Sequence, residues 1–113
     1  MFHAPHDPAQ HDAAMAHYGS RVARALLRDE PGDAEGGSGW RGHLQIAADR
    51  SGQDAGILQI ADDVYAASTR LAGQGVLRAY GEVALMTVGT VAGESFLRGL
   101  LHRAGVVGHE FTR

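Results

Sequence analysis

The sequence predicts an α+β domain, with one helix near each end of the chain packed on a small, mostly antiparallel sheet that has a hairpin at its centre. Three observations carry that expectation. The tetrad LQIA occurs at residues 44–47 and again at 58–61, both times with apolar and polar residues alternating as on a half-buried strand. The run VALMTV at 83–88 is almost wholly apolar, as in a strand covered on both faces. Over 15–26 and 96–101 apolar residues recur at the steps that line one side of a helix.

At 113 residues the chain fits a single domain with one modest core. Residues 1–7 read as an extended arm. Asp7-Pro8 suits a helix start, because Asp caps and Pro tolerates the first turn, and Gln10 stands three residues after Asp7, as in a capping box. Met15, Tyr18, Val22 and Ala25 or Leu26 then form an apolar stripe on a helix of about twenty residues, with Asp12, Arg21, Arg24 and Arg28 on the opposite flank. The run Asp29-Glu30-Pro31-Gly32 ends it, since Pro cannot continue a helix and acids sit poorly at its negative end.

Residues 29–42 read as a flexible connection, rich in glycine, with Trp40 pinning it to the core. Next comes the expected hairpin: Leu44, Ile46 and Ala48 alternate with Gln45, Ala47 and Asp49, and Leu58 and Ile60 alternate with Gln59 and Ala61. The turn formers at 50–56 connect the arms, and pairing Leu44 with Ile60 and Ile46 with Leu58 keeps both apolar pairs on one face. Two copies of a motif are too few for a solenoid.

Residues 64–73 fit either a short helix or a continued strand. Gly73-Gln74-Gly75 then turns the chain into an extended stretch at 76–88. Gly89-Thr90 breaks that stretch and opens a helix over 92–104, where Phe96, Leu97, Leu100 and Leu101 share one face. Burying those side chains is worth roughly 1.5–3 kcal/mol each before the entropy cost. Residues 106–111 are expected to add an edge strand.

The composition excludes several chemistries. There is no cysteine, and so no disulfide, thiolate metal site or Cys nucleophile. No stretch approaches the roughly 18 apolar residues of a membrane span, and 1–12 lack a signal-peptide pattern, which predicts a soluble, cytoplasmic protein without membrane attachment. All ten basic residues are Arg and the formal charge is −3, giving no general attraction to nucleic acid. Protonating all seven histidines would move that charge from −3 to +4. Solubility or assembly is therefore expected to change between about pH 7.5 and about pH 5. Light scattering that stays flat over that interval would contradict it.

The candidate sites each have a plainer reading. His3, His6, His11 and His17 are metal-ligand types, but the last pair is off the spacing that aligns two ligands on a helix, so no metal or other cofactor is expected. Asp62-Asp63 would point to opposite faces of a strand and cannot share a substrate. Ser95 lacks the surroundings of a nucleophile elbow, and His102 and His109 have no evident partner. The glycine-rich loop lacks the Gly-Lys-Ser/Thr ending of a phosphate-binding loop. Arg21, Arg24 and Arg28 form a basic line suited to carboxylates or phosphate.

Taken in order, the helix, the link into GHL, the doubled tetrad, the segment Val64-Tyr65-Ala66 and VGTVAGESFLRGLL resemble the small tail-completion or neck proteins of long-tailed bacteriophages. The resemblance covers about residues 15–104 and rests on Gly42, Leu44, Val64 to Ala66, Glu82, Gly89, Thr90 and Phe96 to Arg98. Such proteins carry an acid and an aromatic before the Gly-Thr, where this chain has Thr87-Val88, and a proline where it has Gly99.

The resemblance implies a structural, non-enzymatic subunit. It would form a homo-oligomeric ring between tail and head connector, contact itself and other tail or connector proteins, and meet nucleic acid only in passing through the ring lumen. It would reside in the host cytoplasm and then in the virion. Exposed strand edges and loops would supply the ring contacts. The candidate contact residues are Arg21, Arg24, Arg28, Trp40, Arg50, Gln53, Asp54, Tyr65, Arg78 and Tyr80. Deleting residues 52–55, at the hairpin tip, is expected to spare folding and weaken assembly. The rival expectations are a small dimeric ligand-binding or regulatory module, with its pocket between the sheet and the C-terminal helix, and an enzyme using His102 or His109.

Overall fold

The computed structural model describes residues 8–81 and 88–104, and over these the chain is helical: α1 Pro8–Leu27, α2 Gly39–Arg50, α3 Ala55–Ser68, α4 Gly73–Gly81 and α5 Val91–Ala104. No strand occurs among the described residues, so the expected α+β class is corrected to all-α. Both LQIA copies lie on helices, one in α2 and one in α3, and the expected hairpin does not exist.

The reason lies in the window over which periodicity is judged. Four residues of LQIA fit a strand, but the burial extends as Trp40, Leu44, Ala47 and Ala48 on α2 and as Ile57, Ile60 and Val64 on α3. Those are steps of three and four, and the Ala, Leu and Gln that fill the segments favour helix over strand. The turn formers between them serve as a helix–helix link. Gly52 has φ 72° and Gln53 φ 62°, and the Gln53 N–H donates to the Ala48 carbonyl at 2.7 Å, closing the end of α2.

Residues 76–81 were also expected to be extended, and they are helical. Val76, Leu77 and Tyr80 are buried while Arg78 and Ala79 are exposed, which is a short amphipathic helix. The central strand expected at 83–88 falls mostly outside the described residues, as do the arm at 1–7 and the edge strand at 106–111. The ambiguous segment 64–73 resolves as helix through Ser68.

The packing is organised by α1 and α5. They form the most extensive helix pair, α2 and α4 also lie against α1, and α3 packs chiefly on α5. Met15, Val22 and Leu26 of α1 and Phe96, Leu97, Leu100 and Leu101 of α5 are all essentially inaccessible to solvent. This is the face predicted for each of these helices.

A polar relay joins two helix starts. Asp54 caps α3 by accepting from the Ile57 N–H at 3.1 Å, and the same carboxylate oxygen accepts the Thr90 hydroxyl at 2.6 Å. Thr90 in turn caps α5, accepting from the Gly93 N–H at 3.0 Å. The Gly-Thr break is thus a helix cap, and Asp54 is committed to structure. Asp54→Ala removes a cap and leaves Thr90 without its acceptor, an expected cost of about 2 kcal/mol in urea unfolding. A loss below about 0.5 kcal/mol would contradict the relay. By the same reasoning, residues 52–55 are no dispensable tip, and deleting them is expected to damage folding.

A basic cleft where the first two helices meet

The last two turns of α1 bury Val22, Ala23, Ala25 and Leu26, which leaves Arg21, Arg24 and Arg28 along the exposed side at i, i+3 and i+7. The chain must then reverse. Asp29 adopts the left-handed conformation at φ 52°, and the Glu30 N–H reaches back to the Ala25 carbonyl at 2.9 Å, satisfying the helix end. Asp29 also accepts from the Gly73 N–H at 3.0 Å, fixing the corner to the start of α4.

The Glu30 and Pro31 carbonyls accept from the Trp40 and Arg41 N–H groups at 2.9 and 3.0 Å, which draws the first turn of α2 alongside the end of α1. Residues 29–38 are therefore tied at both ends, and α2 begins within the segment expected to be loop.

Between the two helices lies a cleft of about 270 Å³ lined by Arg21, Arg24, Ala25, Arg28, Glu30, Gly39 and His43. His43 Nδ1 is buried and has no hydrogen-bond partner. Burial, then the Arg21 guanidinium, then His17, hold the His43 pKa below the usual imidazole value. The ring is accordingly neutral at pH 7. The three guanidiniums form no hydrogen bond or ion pair with other side chains among the described residues.

A second, more apolar hollow of about 400 Å³ lies on the far side of the corner, with Leu26, Pro31, Trp40 and Leu71 in its wall. Trp40 is buried as its anchoring role required, and its ring meets Tyr65 edge-on with centroids 5.1 Å apart. The Arg41 guanidinium lies 5.3 Å from the Trp40 ring centroid.

The residues expected at contacts thus separate. Arg21, Arg24 and Arg28 converge on the cleft, and Trp40 and Tyr65 meet beside the second hollow. Arg50 and Gln53 are exposed at the α2–α3 link, and Arg78 is exposed on α4. Tyr80 is buried, and its hydroxyl donates to the Ile60 carbonyl at 3.1 Å. Burial, reinforced by the Asp63 carboxylate, drives its pKa far above the phenol range. It tethers α4 to α3 and offers little to a partner.

Sequence reasoning missed Glu30, His43 and Arg41 as site residues. With α2 taken for a strand, nothing placed His43 beside α1.

Asp62 and Asp63 sit in mid-α3, both exposed, and not at a strand end. Ser95 is half-buried within α5 and His102 is exposed, while His109 lies outside the described residues. No group of three or more metal-ligating side chains gathers among the described residues, and none of their helices is long and apolar enough to cross a membrane. Without a sheet, the pocket expected between sheet and C-terminal helix is absent there. Compared with known proteins, the chain matches no family model and has no significant match to a curated protein or a solved structure.

Proposed function

We propose that the chain is a non-catalytic assembly subunit that binds copies of itself head to tail, the basic side of α1 in one copy meeting the acid-bearing side of α3 in the next. The observation that carries this reading is the separation of charge onto two helices that do not pack on each other. Arg21 and Arg24 are exposed on α1 and Arg28 just past its end, Asp62 and Asp63 are exposed on α3, and the backbones of α1 and α3 do not pack on each other.

Two unlike patches on separate helices of one subunit are what a heterologous interface needs, and such an interface closes into a ring or runs on as a filament. Each patch also has an exposed apolar side chain within helical reach of its charges: Leu27, 41% exposed, three residues after Arg24, and Tyr65, 38% exposed, three residues after Asp62. The charges would set register and encounter rate, and the apolar pair would supply desolvated contact.

A subunit of this kind serves the ring-building role implied by the likeness to phage neck proteins. Helix faces replace the strand edges as its means of contact.

Sedimentation velocity at rising protein concentration tests it. In about 0.1 M salt, where charges act over about 10 Å, the expected result is a species that grows with concentration; in about 1 M salt, where the range is about 3 Å, it should revert toward monomer. A monomer under every condition would contradict the proposal.

A further inference from the structure

We infer that the cleft between α1 and α2 is a binding site for a small dianionic oxyanion, a phosphate monoester group held by Arg21, Arg24 and Arg28 with His43 at its wall. This goes beyond self-association, because the site is complete within one copy.

Four features support it. First, the charge matches. Three guanidiniums face one carboxylate, Glu30, leaving two positive charges in excess, and a phosphate monoester carries about −1.5 to −2 at neutral pH. Second, the donor type matches. The planar guanidinium fork presents paired N–H groups at the separation of two phosphate oxygens, and at i, i+3 and i+7 the three forks approach from one side of a helix. Third, there is room: the cleft of about 270 Å³ admits a phosphate group. Fourth, His43, a side chain whose protonated form can pair with an anion, lines the same cleft. Burial, then Arg21 and His17, oppose its protonation, and an anion in the cleft would offset them.

Glu30 makes the site tunable. Its carboxylate lines the cleft and repels an arriving anion, so Glu30→Gln should tighten binding several-fold, whereas Arg24→Ala, which removes an exposed side chain and spares the core, should weaken it about tenfold or more.

The test is a titration with inorganic phosphate followed by NMR, using the Asp62→Arg variant so that self-association does not intervene. Saturable shifts at Gly39, His43 and the three arginine side chains are expected, together with a rise in the His43 pKa at saturation, loss of both in Arg24→Ala, and tighter binding in Glu30→Gln. Shifts that remain linear, or that persist unchanged in Arg24→Ala, would overturn the site. That result leaves the head-to-tail contact standing, because the contact is read separately by sedimentation of the wild-type chain.

Discussion

Gly99→Ala and Gly19→Ala are each expected to destabilise the fold by about 2 kcal/mol or more, although replacing a mid-helix glycine by alanine ordinarily stabilises by up to about 1 kcal/mol. The reversal of sign comes from the α1–α5 crossing. A Cβ at Gly19 would overlap the Phe96 carbonyl oxygen and approach the Leu100 N–H, while a Cβ at Gly99 would overlap the Ala16 carbonyl oxygen. Each glycine thus lies against backbone of the opposite helix. Backbone cannot rotate aside as a side chain can, so relief requires the two helices to separate. That separation loosens Met15, Val22, Phe96 and Leu100 together, all of which are essentially solvent-inaccessible. Urea unfolding of each variant checks this, and a midpoint equal to or above that of the wild type would show that the helices do not cross so closely.

Phe96→Ala is expected to cost about 3–5 kcal/mol, the range for emptying a fully buried aromatic site. Phe96 is 0% exposed and belongs to the same cluster as Leu97, Leu100 and Leu101, whose neighbours on α1 are fixed by the close crossing and cannot collapse into the void. Against a total stability of roughly 5–15 kcal/mol, such a loss places a domain of this size near its unfolding threshold. The melting temperature should fall by about 15 °C or more. Val91→Ala, at a residue 67% exposed on the same helix, is the control and should change stability by less than about 0.5 kcal/mol. Equal effects at the two positions would contradict the burial pattern of α5.

The two helices that carry the core were the legible ones. The α1 stripe from Met15 to Leu26 and the α5 quartet from Phe96 to Leu101 extend over enough turns for period 3.6 to separate from period 2. The doubled LQIA tetrad was not, because four residues starting and ending on an apolar position satisfy both periods. Only Trp40 upstream of the first copy and Val64 downstream of the second discriminate, and both lie in helical register with the tetrad. In α4, the pattern Val76, Leu77, Tyr80 was masked by the longer apolar run that follows it.

The site divides in the same way. Arg21, Arg24 and Arg28 are readable from spacing along one helix. Glu30 and His43 join them only through the left-handed Asp29 and the backbone bonds that fold α2 back onto α1, geometry that no local pattern encodes. Asp54 illustrates the converse: an acid that looked available at a turn is consumed by the cap it makes and by Thr90, far away in sequence.

The head-to-tail contact is tested most directly by mixing two charge-reversed chains. Arg24→Glu/Arg28→Glu makes the α1 side acidic, and Asp62→Arg/Asp63→Arg makes the α3 side basic, so each chain alone presents like charges to its own copies. Each should sediment as a monomer at a concentration where the wild type assembles, and an equal mixture should restore species of wild-type size, with the two chains alternating. Assembly of either reversed chain alone to wild-type size, or a mixture that stays monomeric while the wild type assembles, would contradict the pairing of these two helix faces.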